Sequence, residues 1–182
     1  MKLHDLVFVD TETTGLDPRT HEIIDIAVIR VRQIWQEGQN PQFEIVDEWS
    51  TKIIPENITT ANPDSLRIAN YTVTAWGDAI FAKEAFAEFA EKTKDAIMVA
   101  HNVAFDAGFI DASLARHGLI NSMHYHRLDT VSMAYAVLHD TPDVDRYSLA
   151  ELCKHFGVVN NNAHSALADA RADFELFKKL MT

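Results

Sequence analysis

Acidic side chains that could bind metal ions occur at three separate places along the chain, and the first is a strand. Asp10 and Glu12 follow the apolar run Leu6–Val9, and residues two apart on a strand project from the same face. Hard divalent cations such as Mg²⁺ prefer carboxylate oxygen. The pair therefore indicates either a metal site or, taken alone, a solvated strand end.

The second place is the segment from His101 to Asp106, which follows the short apolar run Ile97–Ala100. Asp106 is predicted to lie in the first turn of a helix. A carboxylate there could bind a metal, or it could simply stabilise the helix dipole. Phe105, taken alone, is typical of a core residue.

The third place joins His164 to Asp169. Five residues at about 100° each put two side chains about 140° apart on a helix, so the two converge only if His164 lies in the loop before the helix. A loop histidine titrates near neutral pH and suits a general base, although solvated loop histidines are common. Asp173, one turn after Asp169, is a competing metal ligand, but the pattern favours a surface role for it.

The segments around these residues predict a mixed sheet flanked by helices. Three strands come first, joined by turn-sized connections that favour an antiparallel meander. Two further strands alternate with helices. The predicted strands are 6–9, 23–31, 43–54, 97–100 and 127–129. The predicted helices are 79–94, 104–117, 131–138, 148–156 and 165–180, with a capping box at Ser148 and Glu151.

The bulk composition indicates one domain, residues 1–182, with a sizeable core. A single cysteine, Cys153, excludes an internal disulfide framework and suits a reducing cytoplasm. No apolar run reaches the ~18 residues of a membrane span, and the N-terminus lacks the pattern of a signal peptide. The net charge of −11 argues against a tight nucleic-acid clamp and predicts weak, metal-dependent binding instead.

Three motifs in this order resemble the DEDDh family of 3′→5′ exonucleases, which includes the proofreading epsilon subunit of bacterial DNA polymerase III, RNase T and the TREX enzymes. The motifs are FVDTETTGLDP at Phe8–Pro18, AHNVAFDAGF at Ala100–Phe109 and HSALAD at His164–Asp169. The resemblance spans nearly the whole chain. It implies the RNase H-like α/β fold, a mixed five-stranded sheet flanked by helices.

The resemblance also implies a role for each motif residue. The metal ligands would be Asp10, Glu12, Asp106 and Asp169, and His164 would be the general base. The pocket for the terminal nucleotide would be lined by Thr13, Gly15, Leu16, Ile68, His101, Asn102 and Phe105. Two divalent cations, Mg²⁺ or in its place Mn²⁺, would clamp the scissile phosphate.

One departure from the family concerns the substrate loop. Ala69 stands where the polymerase subunit has a substrate-contacting histidine. Ile68 can still pack against a base, and Asn70 or Tyr71 could replace the lost polar contact. The preference between DNA and RNA therefore stays open.

The implied partner is the 3′ end of a single nucleic-acid strand, with a polymerase or a second copy of the chain as further possibilities. Two other functions compete. A non-catalytic nucleic-acid-binding accessory module of the same fold would be expected to lack a carboxylate or the histidine, yet all five are present. An RNase H-like endonuclease would cut internally, whereas the third motif and residues 13–16 favour cutting from an end.

Overall fold

A five-stranded mixed sheet forms the centre of the computed structural model, which describes residues 1–142, 144–160 and 164–181. The strands are β1 (Leu6–Thr13), β2 (Ile23–Ile34), β3 (Gln42–Lys52), β4 (Ile97–Ala100) and β5 (Arg127–Asp129). Their order across the sheet is β3-β2-β1-β4-β5. β1, β2 and β3 pair antiparallel, whereas β4 runs parallel to both β1 and β5. The predicted meander and mixed sheet are confirmed.

Six α-helices surround this sheet within the described residues. They are α1 (Pro63–Ile68), α2 (Ala82–Thr93), α3 (Val103–Arg116), α4 (Thr130–Leu138), α5 (Leu149–Phe156) and α6 (Ala166–Leu180). A short 3₁₀ helix at Ile58–Thr60 precedes α1. The sequence predicted five of the six α-helices and missed α1, which the Asn62 side chain caps by accepting hydrogen bonds from two backbone amides. None of the helices in the described ranges is long and apolar enough to cross a membrane.

The two faces of the sheet are covered by different helices because side chains alternate along each strand. Val7 and Val9 of β1 belong to a core that includes residues of α2 and α3. Leu6 and Phe8 point the other way and pack against α6. The Phe8 ring lies 5.0 Å from that of Phe174 and 5.2 Å from that of Phe177, measured between centroids. Helices on both faces thus enclose β1.

β1 is longer than predicted and continues through Thr13. The sequence suggested that the strand ends near Asp10, because the apolar run stops there. β2 keeps pairing beyond that point, with Asp10 opposite Ala27 and Glu12 opposite Asp25. The first acidic motif therefore lies inside a strand and is held by a β-ladder rather than by a loop.

Candidate active site

Asp10 and Glu12 lie on the face of β1 that packs against α6. They continue the alternation of Leu6 and Phe8, so both carboxylates project to the same side, as the spacing predicted. β4 pairs with β1 only as far as Phe8. The sheet is therefore open beside Asp10, and the chain that follows β4 fills this space with the second motif.

Asp106 reaches the site from the first turn of α3, the position predicted for it. The residue that precedes this helix, Asn102, adopts a left-handed backbone with φ of 67°, which turns the chain from β4 into the helix. The Asp106 carboxylate is buried and accepts a hydrogen bond of 2.8 Å from the Thr11 hydroxyl. This bond ties the second motif to the first.

The third motif places His164 in the loop before α6, as its spacing to Asp169 required. His164 has a φ of 67° and an exposed side chain, and its backbone amide donates to the Asp169 carboxylate at 2.9 Å. The other oxygen of Asp169 accepts from the Asn160 side chain at 2.5 Å. One ligand atom each from Glu12, His164 and Asp169 all lie within 4.8 Å of one another. Residues 161–163, in the segment predicted to be the loop before the helix, lie outside the described part of the chain.

Mutual repulsion and burial raise the pKa values of the clustered carboxyls. Burial first, and then the charges of Asp106, Asp169, Glu12 and Asp173, hold the pKa of Asp10 well above its usual range. Burial and Asp169 raise the pKa of Glu12 to about 7. Burial also raises the pKa of Asp106 to about 7, against the Thr11 hydrogen bond, which lowers it. The negative charges of these carboxylates repel one another, and a bound divalent cation would neutralise them.

These raised pKa values predict how the stability of the metal-free protein depends on pH. At low pH the carboxyls are protonated in both states. As the pH rises towards about 7, the unfolded chain ionises these acids while the folded protein still holds their protons, so stability is progressively lost. In a chelating buffer we expect the melting temperature to fall by roughly 5–10 °C between about pH 5 and pH 8. Mg²⁺ or Mn²⁺ should reduce the fall.

Calorimetry on two variants tests this prediction. Glu12→Gln removes one clustered acid and should flatten the decline, whereas Glu88→Gln, on the exposed face of α2, should leave it unchanged. An equal decline in the wild-type protein and Glu12→Gln would assign the pH effect to other groups.

A cavity of about 150 Å³ opens beside the carboxylates. It is lined by Thr11, Glu12, Thr13, Leu16, Ser65, Ile68 and Phe105. Four of the predicted nucleotide-contacting residues are therefore brought together. Gly15, His101 and Asn102 are not among the lining residues, and both ring nitrogens of His101 lie within hydrogen-bond distance of protein atoms.

Gly15 precedes the cavity residue Leu16, and its lack of a side chain lets the backbone pass close to His21. A Cβ atom at this position would overlap the ring of His21, which the Asp17 backbone amide holds by a 3.2 Å hydrogen bond. The carbonyl of Gly15 accepts a hydrogen bond of 2.7 Å from Thr13. Only glycine therefore lets the turn between β1 and β2 fold against His21.

We expect Gly15→Ala to destabilise the protein by about 1–3 kcal/mol, the usual cost of overpacking, and to raise KM by displacing Thr13 and Leu16. Thermal unfolding and steady-state kinetics measure the two effects. The double variant Gly15→Ala/His21→Ala removes the overlap and should recover part of both. No recovery would show that steric overlap is not the cause.

The structure shows the surroundings of Ala69, which stands where the polymerase subunit has a substrate-contacting histidine. Ala69 follows α1, is buried against Ile24 and Trp76, and is not among the residues that line this cavity, but it borders a neighbouring depression. Ile68 is 42% exposed and lines the cavity wall. Of the two candidate polar replacements, Tyr71 packs on the Trp76 ring, whereas Asn70 borders a neighbouring depression that also contains His164.

Three further acidic residues support the site, and sequence reasoning gave them little or no weight. Asp25 lies opposite Glu12 and accepts from the backbone amide of Ala166, at the start of α6. Asp129 accepts from the first amide of α3 and from an amide of α4. The surface role predicted for Asp173 is wrong: it is 2% exposed and bonded to Thr130. Asp173 lies one helical turn after Asp169, on the same side of α6. The spacing of the two residues in the sequence could therefore have indicated that Asp173 is buried near the site.

Comparison with known proteins yields one family and one group of relatives. The RNase T family model, described as exonuclease, matches residues 7–177. The PolC-type DNA polymerase III of Clostridium perfringens is 31% identical over 179 residues, which are 96% of this chain and 11% of that polymerase. The corresponding polymerase of Pediococcus pentosaceus is 32% identical over 166 residues, 90% of this chain and 10% of the polymerase. The chain thus spans about a tenth of these relatives.

Solved structures with the same fold include exonucleases I. The Escherichia coli enzyme in complex with a dT13 oligonucleotide superposes with a TM-score of 0.79 and 20% identity, over 98% of this chain and 41% of that one. The Methylocaldum szegediense enzyme gives a TM-score of 0.75 and 22% identity, over 96% of this chain and 40% of that one. At this identity the likeness establishes the RNase H-like fold that the resemblance implied.

Proposed function

The chain belongs to the RNase T exonuclease family, and from that premise we propose that it removes nucleoside 5′-monophosphates one at a time from the 3′ end of single-stranded nucleic acid. The observation that carries the proposal is the convergence of residues from all three motifs on one cluster of carboxylates, which lies beside the cavity. Carboxylates from β1, α3 and α6 influence one another's ionisation, and His164 lies within reach of two of them. A family member that had lost turnover would have no need to keep this set together.

The donor set fits divalent cations of the Mg²⁺ class. Asp10, Glu12, Asp106 and Asp169 supply carboxylate oxygens only, the ligands that such cations prefer. The raised pKa values of Asp10, Glu12 and Asp106 indicate that the site concentrates negative charge beyond what its protein partners neutralise. When bound, two such cations would neutralise the scissile phosphate and favour in-line displacement.

His164 is the residue proposed to accept the proton from the attacking water. Its backbone is anchored because its amide donates to Asp169, while its imidazole is exposed. Asp169 thereby fixes the position of the backbone and leaves the ring free to face the substrate. A nitrogen of the ring lies within 4.8 Å of oxygens from Glu12 and Asp169, which places the proposed base beside two of the proposed metal ligands.

The cavity is proposed to hold the terminal nucleotide. Its polar side carries Thr13 and Glu12, and its apolar side carries Leu16, Ile68 and Phe105. Apolar side chains at the rim favour bases that are unstacked from their neighbours. Single strands and frayed ends are therefore the proposed substrates, in preference to paired ends.

Leu16 offers a direct test of this pocket because it is 76% exposed and contributes little to folding. We expect Leu16→Ala to raise KM for a single-stranded oligonucleotide about tenfold, equivalent to the loss of about 1.4 kcal/mol of apolar contact, and to leave the melting temperature unchanged. Ile120→Ala removes a similarly exposed apolar side chain outside the cavity and should change neither quantity. An unchanged KM in Leu16→Ala would exclude this residue from the pocket.

DNA is the favoured substrate class. The relatives named above are DNA polymerases, and the E. coli exonuclease I structure contains a dT13 oligonucleotide. The same relatives support a polymerase as the proposed partner for this chain. The alternative function, a non-catalytic accessory module, predicts binding of single strands without release of nucleotides.

The deciding experiment incubates the protein with 5′-labelled single-stranded DNA or RNA of one sequence, with Mg²⁺ or Mn²⁺, and resolves the products by length. A ladder that shortens one nucleotide at a time from the 3′ end is expected, faster for DNA. Internal fragments would support the endonuclease, and intact strands retained by the folded protein would support the accessory module. An Asp10→Ala sample controls for a contaminating nuclease.

A further inference from the structure

Three side chains form a hydrogen-bonded chain behind the metal-binding carboxylates. The His101 Nδ1 atom lies 3.1 Å from the Thr130 hydroxyl oxygen, which lies 2.6 Å from Oδ1 of Asp173. At the other end, Nε2 of His101 lies 2.9 Å from the carbonyl oxygen of Tyr147. Thr130 is 0% exposed and Asp173 is 2% exposed. These hydrogen bonds link four parts of the protein: the β4–α3 junction, α4, α6 and the segment that leads into α5.

The Thr130 hydroxyl oxygen also lies 3.5 Å from the Ala100 carbonyl oxygen, the longest of its contacts. Counting hydrogens leaves two ways to fill the shorter bonds. The Tyr147 carbonyl can only accept, so Nε2 of His101 carries a hydrogen. The Thr130 hydroxyl has one hydrogen. If His101 is neutral, Nδ1 must accept that hydrogen, and Asp173 must then be a carboxylic acid that donates to Thr130. If Asp173 is ionised, it accepts from Thr130 and His101 must be a cation.

The surroundings favour the neutral pair. Oδ2 of Asp173 has no hydrogen-bond partner among the described residues, and a buried carboxylate with an unpartnered oxygen is more costly than a buried acid. Burial is the largest effect and raises the pKa of Asp173 to about 7; the charges of Asp106 and Asp129 add to the rise, whereas the hydrogen bond with Thr130 opposes it. Burial lowers the pKa of His101, although Asp129 and Asp169 oppose the shift.

We propose that Asp173 is a positioning residue that, as a neutral acid, donates its proton to Thr130 and thereby fixes His101 in the tautomer that holds Tyr147. Asp173 lies one turn after Asp169 on α6, so anchoring it sets the rotation of the helix that carries Asp169. The Tyr147 bond anchors the segment before α5, and Asn160, which follows α5, donates to Asp169. Asp169 is thus held from two sides. The kinetic part of this inference rests on the proposed function, whereas the proton assignment does not.

Nuclear magnetic resonance of the intact protein near neutral pH tests the proton assignment without substrate. Nitrogen shifts of His101 should show a protonated Nε2 and an unprotonated Nδ1, and the carboxyl carbon shift of Asp173 should be that of a protonated acid. Two protonated nitrogens together with an ionised Asp173 would overturn the proposal.

Variants test the positioning role. Asp173→Asn is neutral and can donate to Thr130 through its amide, so it should keep the His101 tautomer and a kcat close to that of the wild-type protein. Asp173→Leu and Thr130→Val remove the hydrogen bonds between these side chains. Each should lower kcat about 10–100-fold with little change in KM, as loss of a residue that orients a metal ligand typically does. Thr130→Ser is the matched control and should restore kcat. Each variant is first checked for a wild-type circular dichroism spectrum.

A calorimetric titration with Mn²⁺ separates positioning from metal ligation. Asp173→Asn should bind Mn²⁺ with wild-type affinity, whereas Asp10→Asn should bind it more weakly. A loss of Mn²⁺ affinity in Asp173→Asn equal to that in Asp10→Asn would overturn the proposal and make Asp173 a ligand. If none of the proteins shortened an oligonucleotide, the proposed function would fail while the tautomer result would still decide the proton assignment.

Discussion

Asp10→Asn should abolish turnover, lowering kcat by at least about 10³-fold, and should leave the fold intact. The magnitude follows from the several kcal/mol of transition-state stabilisation that bound cations supply, because each 1.36 kcal/mol corresponds to a factor of about ten. Asp10 is the carboxyl on which the charges of Asp106, Asp169 and Glu12 all act. Its replacement by a neutral amide therefore weakens the cation site at its centre. Release of labelled mononucleotide at saturating Mg²⁺ measures the effect.

The same substitution should raise the melting temperature of the metal-free protein above pH 7. The amide side chain removes a buried charge that repels its neighbours, and its size matches that of the aspartate, so core packing is unchanged. Asp140→Asn, an exposed position after α4, is the matched control and should alter neither activity nor stability. Mg²⁺-dependent activity at the wild-type level in Asp10→Asn would refute the assignment of the site.

His164→Ala should lower kcat about 10²–10⁴-fold, the usual contribution of a general base, and should change KM little, because His164 is not among the residues that line the cavity. The wild-type kcat should reach a plateau at alkaline pH, because a side chain of the protein then accepts the proton from water without the help of hydroxide. The variant should continue to rise with hydroxide concentration. Rates measured across the pH range distinguish the two profiles.

His139→Ala is the control for this substitution. His139 is exposed at the end of α4, and its ring lies 3.1 Å from the carbonyl oxygen of Ala136. Its loss should leave both kcat and the pH profile unchanged. If His164→Ala kept the wild-type rate and plateau, another group would have to accept the proton.

The parts of the fold that depend on local pattern were predictable. Apolar runs indicated β1, β2 and β4, and alternation indicated β3, whereas the fifth strand was predicted at 127–129 without an apolar run. The turn-sized connections between the first three strands indicated their antiparallel pairing. The angular argument on His164 and Asp169 also placed the histidine before α6, where the structure has it. Strand alternation and helix geometry relate residues that are only a few positions apart, so both can be read directly from the sequence.

Features that depend on tertiary contact were not predictable. α1 is too short to show a helical period, and its cap at Asn62 was not recognised. The extension of β1 past Asp10 requires β2 as a partner. The burial of Asp173 depends on Thr130, which is 43 residues away in sequence. Acidic residues are usually exposed, so the general preference pointed to the wrong environment for this one.

The position of β1 in the sheet has a consequence for heat inactivation. Two of the carboxylates lie on a strand paired on one side with β2, with α6 packed against its face. Amide hydrogens in such a strand exchange with solvent only when much of the molecule opens. Asp10 and Glu12 should therefore keep their geometry until global unfolding, so that loss of the metal site and loss of the folded state share one transition temperature.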